Sequence, residues 1–230
     1  DKYDTYEWYL DLGPLSNVNN KYFFNNIPSW NNFITHPNYD DFWEKQSLTH
    51  RLDSPLIPIL HVAGWWDQED FYGPLKAYQV LEKKDNNDLN RIVIGPWNHG
   101  GWNEITGDKL GNISFGKPTA QEFRRDIQAP FFAYYLKGKG DSKFFEAIAF
   151  QTGSNTWETY DMWPPENITT TKNLYFHSND KLLFEPPDDV DLFDEYISDP
   201  SHPVPYRLRP VEPTYGANSR WENWLVEDQR

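Results

Sequence analysis

The chain has no cysteine, which excludes disulfides, thiolate metal sites and a cysteine nucleophile. It has no apolar run close to the ~20 residues of a membrane-spanning helix. Its histidines lack the close pairing of a zinc site, and no glycine-rich phosphate loop is present, so no metal or cofactor is expected. Basic residues are few, and the net charge of −14 argues against nucleic acid and membrane surfaces as partners. A cationic or zwitterionic small molecule fits this charge better.

Two short apolar runs, Ile57–Ala63 and Arg91–Ile94, have the continuous β-branched character of strands buried in a parallel sheet. The segment between them, 73–84, has apolar residues three or four apart and predicts a helix. Strand, helix and strand make a parallel crossover. Asp67 and His99 follow the two strands, and ligands bind at the carboxyl edge of such sheets, so we expect the two side chains to lie close together. Their order in sequence is that of the acid and base of an α/β-hydrolase.

A histidine backed by a carboxylate can act as a general base, but it needs a nucleophile to activate. No serine in this sequence has the G-x-S-x-G context of a nucleophile elbow. Ser114 and Ser142 each keep one of the two glycines, and neither follows a strand-like run, so both are interpreted as loop serines. The nucleophile is therefore expected upstream of Asp1.

The composition divides the chain near residue 150. Residues 1–50, rich in Asn and aromatics and without strand alternation, predict cap helices and loops. Residues 51–150 hold the strand and helix pattern, and Thr119–Leu136 is predicted to be a helix kinked at Pro130.

Residues 151–230 contain half of the 18 prolines. Their short apolar runs, such as Asn173–His177 and Lys181–Phe184, are separated by turn formers, a pattern typical of an antiparallel sandwich.

Several separated motifs together resemble the α-amino acid ester hydrolases and glutaryl-7-ACA acylases, which belong with cocaine esterase and X-Pro dipeptidyl-peptidase in a wider serine hydrolase family. The resemblance implies an α/β fold: the C-terminal half of an α/β-hydrolase domain with a helical cap, followed by part of a jelly-roll β-sandwich. It also favours a periplasmic or secreted location. Since the chain stops at Arg230, within a family motif, the jelly roll is expected to be incomplete. The motifs are Gly64–Asp70, Gly95–His99, Tyr196–Tyr206 and Trp224–Arg230, with further likeness in His36–Trp43 and Gln151–Trp157.

The resemblance implies a role for each residue of the first two motifs. Asp67 would be the acid of a catalytic triad and His99 its base. Glu69 and Asp70 would match two carboxylates that receive the substrate's α-ammonium group, for which ionised carboxylates are strong acceptors. As an alternative, Asp67 could cap the following helix, and Glu69 and Asp70 could be acidic residues of its first turn.

Four tryptophans flank the predicted site and could either form an apolar acyl pocket or pack as core and lid: Trp65, Trp66, Trp97 and Trp102.

The resemblance predicts a serine hydrolase that cleaves esters or amides of α-amino acids through an acyl-enzyme. An X-Pro dipeptidyl-peptidase-like or glutaryl acylase activity is the enzymatic alternative, and a non-catalytic sugar-binding β-module is the alternative of another class. The partners expected are a small-molecule ester or amide with a cationic amino group, the upstream portion of the same polypeptide and, because a partial sandwich exposes strand edges, a second copy of the chain.

Overall fold

The computed structural model describes residues 3–141, 143–179, 181–188, 193, 195–199, 208–213 and 220–227. Within these residues, none of the helices combines the length and the apolar character needed to cross a membrane. The second half of the Tyr196–Tyr206 motif, from residue 200, and the last three residues of the Trp224–Arg230 motif lie outside the described residues.

Residues 3–51 form short helical elements joined by loops. Asp4 starts the first helix by accepting hydrogen bonds from the backbone N–H groups of Tyr6 and Glu7, and Gly13 ends it with φ of +70°. The predicted helices and loops are therefore present. They are α1 Thr5–Leu12, a π-helical turn Asn19–Phe23, α2 Pro28–Thr35, α3 Asp41–Gln46 and a 3₁₀ turn Leu48–Arg51.

The centre of the molecule is a four-stranded sheet in the order β1-β2-β5-β6. β1 and β5 each pair in parallel with β2, and β6 returns antiparallel to β5. Helix α4, Tyr72–Glu82, connects β1 to β2 as the sequence predicted. The strands are β1 Ile59–Gly64, β2 Asn90–Gly95, β3 Lys109–Leu110, β4 Ile113–Ser114, β5 Ala147–Gln151, β6 Thr156–Tyr160, β7 Tyr175–His177 and β8 Lys181–Leu183.

Helices cover both faces of this sheet, which explains why β2 is buried along its whole length. On one face, Tyr78 of α4 packs against small and branched side chains of β1, β2 and β5. On the other face, Val93 of β2 packs with Trp97 and Phe123. These two layers position the carboxyl ends of β1 and β2.

The segment Thr119–Lys137 is one helical run with a change of winding before Pro130. It consists of α5 Thr119–Glu122, a π-helical section Phe123–Gln128 and α6 Ala129–Lys137. The π-helical section ends at Gln128, two residues before Pro130, where the kink is predicted. Proline lies in the first turn of α6, where its missing N–H costs little.

Residue 150, where the composition changes, lies inside β5 and not in a linker. β6 follows within the same sheet. Further along, the two predicted strand runs form the antiparallel hairpin β7–β8. A short helix α7, Trp221–Trp224, packs near the β3–β4 hairpin, where Val226 approaches Gly111.

A buried polar network ties the amino ends of β2 and β5 to α4. The Tyr78 hydroxyl donates to Glu146 Oε1 over 2.5 Å, and Arg91 Nη1 donates to Glu146 Oε2 over 2.8 Å. Asn90 Nδ2 donates to Glu82 Oε2 over 2.9 Å. The network lies at the end of the sheet opposite to Asp67 and His99.

Candidate functional site

Asp67 and His99 come together at the carboxyl edge of the sheet, as the strand pattern predicted. β1 and β2 are parallel neighbours, and the last residues of the two strands, Gly64 and Gly95, are in register. The side chains at 67 and 99 follow these glycines by three and four residues, so two residues 32 apart in sequence meet in space. The geometry follows from the crossover topology and not from a local turn.

Asp67 uses its two carboxylate oxygens for different partners. Oδ1 accepts hydrogen bonds from the backbone N–H groups of Glu69 and Asp70, each at 3.0 Å. Oδ2 lies 3.1 Å from His99 Nδ1. The carboxylate is buried, so both contacts are shielded from water. The capping role and the role beside His99 therefore coexist, although the capped turn precedes α4, which begins at Tyr72.

One ring nitrogen of His99, Nδ1, lies close to two carboxylates. Its Nδ1 lies 3.1 Å from Asp67 Oδ2 and 3.7 Å from Asp70 Oδ2. The hydrogen bond that His99 donates to Asp67 raises the pKa of His99, and the negative charges of Asp67, Glu69 and Asp70 add to that rise, while partial burial opposes it. Because Nδ1 donates to a carboxylate, the neutral ring carries its lone pair on Nε2.

The other side of the His99 ring is open. The side chain is 43 % exposed. Within the described part of the chain, Nε2 has no hydrogen-bond partner. A ring held at Nδ1 and accessible at Nε2 can accept a proton from a neighbouring hydroxyl group.

Backbone contacts fix the two loops that carry this pair. Trp65 N donates to Gly95 O over 2.9 Å, and Trp66 N donates to Trp97 O over 3.0 Å. These two hydrogen bonds extend the pairing of β1 and β2 beyond the strand ends. The loops therefore have little freedom to move apart.

Gly64 is required at this junction by lack of space. A Cβ atom at position 64 would lie 2.3 Å from Trp97 O, which is far inside van der Waals contact. Gly100, which follows His99, has φ of +76°, a conformation that glycine adopts without a steric cost.

The four tryptophans differ in burial. Trp97 is buried, packs against Phe123 and donates from Nε1 to Thr119 Oγ1 over 3.0 Å. Trp102 packs against the same cluster. Trp65, Trp66 and Trp102 are half-buried and each packs against a core cluster, and Trp65 and Trp66 also line a cleft beside the sheet.

The other residues singled out in the sequence are Glu69, Asp70, Ser114 and Ser142. Glu69 and Asp70 are exposed on the turn that Asp67 caps, and Asp70 faces His99. Ser114 lies in the two-residue strand β4, so its interpretation as a loop serine was wrong in that detail, and its Oγ accepts from Gly116 N over 3.3 Å. Ser142 is outside the described residues. Across the described ranges, no serine hydroxyl hydrogen bonds to His99, and no three His, Asp or Glu side chains are grouped so as to hold a metal ion.

Comparisons with known proteins agree with this fold. The family model of X-Pro dipeptidyl-peptidase (S15 family) matches residues 6–101. Cocaine esterase from Rhodococcus sp. (strain MB1 Bresler) is 28% identical over 182 residues, which are 75% of this chain and 30% of that protein.

Two solved structures are similar over the whole chain. One is the crystal structure of an aminopeptidase from a marine sediment archaeon, Thaumarchaeota archaeon, with 40% identity and a TM-score of 0.91. The other is an α-amino acid ester hydrolase labelled with selenomethionine, with 33% identity and a TM-score of 0.88. Each match includes 100% of this chain but only 38% of the solved chain. This chain therefore spans well under half the length of these relatives.

The sheet with its helical crossover, and the structures it matches, define an α/β-hydrolase fold. The chain is similar to members of the family that contains X-Pro dipeptidyl-peptidase, cocaine esterase and α-amino acid ester hydrolase, in agreement with the resemblance found in the sequence. These relatives are hydrolases.

Proposed function

We propose that this chain supplies the acid and the base of a serine hydrolase that cleaves esters or amides of α-amino acids through an acyl-enzyme. The observation that carries the proposal is the 3.1 Å contact between His99 Nδ1 and the buried Asp67 carboxylate. A buried carboxylate fixes the tautomer of the imidazole and stabilises the imidazolium that forms when His99 takes a proton.

In this mechanism His99 Nε2 accepts the proton of a serine hydroxyl while the serine oxygen attacks the substrate's carbonyl carbon. The protonated His99 then gives this proton to the leaving alcohol or amine, and the bond from the carbonyl carbon to that group breaks. In the second half of the reaction, Nε2 takes a proton from a water molecule, whose oxygen attacks the acyl carbon; the bond to the serine oxygen breaks, His99 returns the proton to that oxygen, and the acid is released. Asp67 stays ionised throughout and orients the ring.

The serine itself is proposed to lie outside the 230 residues of this sequence. No serine here follows a strand in a G-x-S-x-G context. Within the described residues, the open Nε2 side of His99 has no hydroxyl partner. On this proposal the isolated chain does not hydrolyse esters.

Glu69 and Asp70 are proposed to bind the α-ammonium group of the substrate. Both are exposed at the edge of the site, and Asp70 Oδ2 lies 3.7 Å from His99 Nδ1, so a cation held there is next to the reacting atoms. An ammonium group offers three donors to carboxylate acceptors. It also relieves the repulsion between the clustered negative charges.

Peptide cleavage is a second candidate, because this chain is 40% identical to a solved aminopeptidase. An amino acid ester and a peptide with a free amino terminus share the α-ammonium group, so the same carboxylates serve both, and an X-Pro dipeptidyl-peptidase-like activity falls in this class.

A glutaryl acylase activity is less favoured, since an anionic side chain near Glu69 and Asp70 would be repelled. A sugar-binding module would leave the Asp67–His99 contact without a role.

We further propose that residues 1–50 belong to a helical cap, residues 51–150 to the C-terminal portion of the hydrolase domain and residues 151–230 to a jelly-roll β-domain. The helices α1 to α3 and the β7–β8 hairpin are compatible with this division. The whole protein's missing portion, or a second copy, would cover the exposed apolar side chains of the last segment, such as Phe176 and Phe184.

The test uses the full-length protein with Glu69→Gln and Asp70→Asn combined. Since both changes remove negative charge with little change in shape, kcat/KM for an α-amino ester should fall by at least about tenfold relative to its des-amino analogue. An equal fall for both esters would contradict the ammonium role.

Labelling with a fluorophosphonate tests the nucleophile separately. The label is expected on a serine outside these 230 residues and is expected to disappear in His99→Ala. A label on Ser114 or Ser142 would overturn the placement of the nucleophile.

A further inference from the structure

A cleft of about 880 Å³ opens beside the carboxyl end of β5, next to the loop that leads to Asp67. It lies between the end of β1 and the β5–β6 hairpin. The roles proposed for Asp67 and His99 do not use it. The side chains that shape it are Trp65, Trp66, Glu158, Tyr160, Trp163 and Ile168.

Aromatic rings form one wall of this cleft and hold one another in place. The ring centroids of Trp65 and Trp163 are 6.2 Å apart, and those of Tyr160 and Trp163 are 5.3 Å apart. Trp65 Nε1 donates to Phe150 O over 2.8 Å, which fixes this indole relative to β5. The wall is therefore a preformed apolar surface that can accept the body of a ligand.

Glu158 places one carboxylate in this aromatic surrounding. It is half-buried on β6, directly opposite Ala149 of β5. Thr156 Oγ1 donates to Glu158 Oε1 over 2.8 Å, and Thr156 Oγ1 in turn lies 3.0 Å from Ser154 Oγ. In the portion of the chain that the structure describes, Oε2 has no hydrogen-bond partner. One oxygen is thus anchored, and the other is available to a ligand.

The charge around Glu158 is not balanced within the cleft. No lysine or arginine is among the described residues that line it. The ring faces of tryptophan and tyrosine attract cations through their quadrupoles. The carboxylate and the aromatic rings of this cleft therefore both favour a positively charged ligand.

We propose that this cleft binds a primary organic ammonium group that carries an apolar or aromatic body. The ammonium donates to Glu158 Oε2, and the body packs against Trp65 and Trp163. This site is separate from the carboxylates of Glu69 and Asp70, and its occupancy does not depend on whether the protein hydrolyses esters.

Calorimetric titration of the purified full-length protein with benzylamine at pH 7 tests this site. The titration is run in the Glu69→Gln/Asp70→Asn background, so that a signal from the other proposed ammonium site is removed. We expect saturable binding of benzylamine and binding of benzyl alcohol, its neutral counterpart, that is weaker by at least about tenfold.

Substitutions within the cleft separate charge from packing. Glu158→Gln should weaken benzylamine binding by at least about tenfold and leave benzyl alcohol binding unchanged. Glu166→Gln removes an exposed carboxylate nearby that does not line the cleft, and it should leave both unchanged. Thr156→Val, which frees Glu158 from its anchor, should weaken benzylamine binding less than Glu158→Gln does.

Three results would overturn the proposal. One is equal affinity for benzylamine and benzyl alcohol, and another is benzylamine binding that survives Glu158→Gln in a folded protein. The third is the absence of benzylamine binding together with binding of methyl β-glucoside, since this would make the cleft a site for neutral sugar rings.

Discussion

Gly64 and Trp97 are in direct backbone contact across the end of the sheet. A Cβ atom at position 64 would come within 2.3 Å of Trp97 O and 2.9 Å of Trp97 C. Trp97 O is also the acceptor for Trp66 N. This contact joins the loop of Asp67 to the loop of His99. The distance between Asp67 and His99 therefore depends on residue 64 being a glycine, which has no side chain.

Gly64→Ala is therefore expected to lower the free energy of unfolding by about 1–3 kcal/mol, the usual cost of overpacking, and to reduce activity as well. Gly73→Ala is the matched control, because its Cβ would meet nothing within 4 Å in the first turn of α4. That substitution should leave stability unchanged or raise it by up to about 1 kcal/mol. Denaturant unfolding of the two variants measures both values, and equal stabilities would disprove the steric explanation.

Asp67→Asn should preserve the capped turn and remove the charge beside His99. The Asn Oδ1 can still accept from the N–H groups of Glu69 and Asp70. Without the carboxylate the imidazole loses its preferred tautomer, and kcat/KM should fall by about 10⁴-fold in the full-length enzyme. Asp53→Asn, a change at a 90 % exposed carboxylate, should have no effect. Wild-type activity in a folded Asp67→Asn variant would rule out Asp67 as the acid that orients His99.

The two histidines His61 and His99 should titrate on opposite sides of the ordinary value of 6.5. Burial lowers the pKa of His61, whereas the hydrogen bond that His99 donates to Asp67 raises the pKa of His99. Because His99 must be neutral to accept a proton, kcat/KM should decline as the pH falls through this raised pKa. Asp70→Asn removes one neighbouring charge and should move the decline to lower pH.

NMR titration of the ring protons assigns each pKa. The same shift has a linked effect on stability: the contact of protonated His99 with its carboxylates stabilises the fold below about pH 6.5, and this contribution is lost as the pH rises through the folded-state pKa. A His99 pKa at or below 6.5 would contradict the carboxylate environment described above.

Glu146 should make stability depend on pH between its unfolded and folded pKa values. Burial raises the pKa of Glu146 from 4.5 to about 7, and the charge of Glu82 adds to this, while Tyr78 and Arg91 oppose it. A raised pKa means that the folded state prefers the protonated acid. Stability should therefore decline as the pH rises from about 4.5 through 7.

Glu146→Gln mimics the protonated carboxyl group and should flatten this part of the stability profile, even though it weakens the contact with Arg91. Urea unfolding at several pH values compares the two slopes. Parallel profiles for the wild type and the variant would show that Glu146 is not the titrating group.

The elements with strong local patterns were predicted well. The bounds of β1, α4 and β2 agree with the sequence analysis to within about two residues, because apolar runs and helical periodicity are local properties. The meeting of Asp67 and His99 followed from the parallel crossover. The sequence analysis gave the capping of the turn and the contact with His99 as alternative roles of Asp67. Both occur together, because each carboxylate oxygen has its own partners, which sequence spacing does not reveal.

Other features depend on contacts between distant segments. The pairing of β5 with β2 joins residues that are 55 positions apart, such as Ile92 and Ala147, whereas β6 returns to β5 through a short hairpin. The run at residues 147–150 is apolar, but it is short, and the sequence analysis did not assign it to the sheet. The cleft around Glu158 was missed because its walls come from β6, from the loop after β1 and from the segment at Trp163.

The crossover topology also makes the distance between Asp67 and His99 independent of the number of residues that separate them in sequence. Helix α4 leaves the sheet at the edge that holds Asp67 and returns to it through residues 83–89 at the opposite edge, before β2 begins at Asn90. A longer or shorter turn around Asn86 and Asn87 would change the number of residues between Asp67 and His99, while the pairing of β1 and β2 would keep the distance between them. The turn at residues 83–89 can therefore accept insertions or deletions while the register of β1 and β2 keeps Asp67 next to His99.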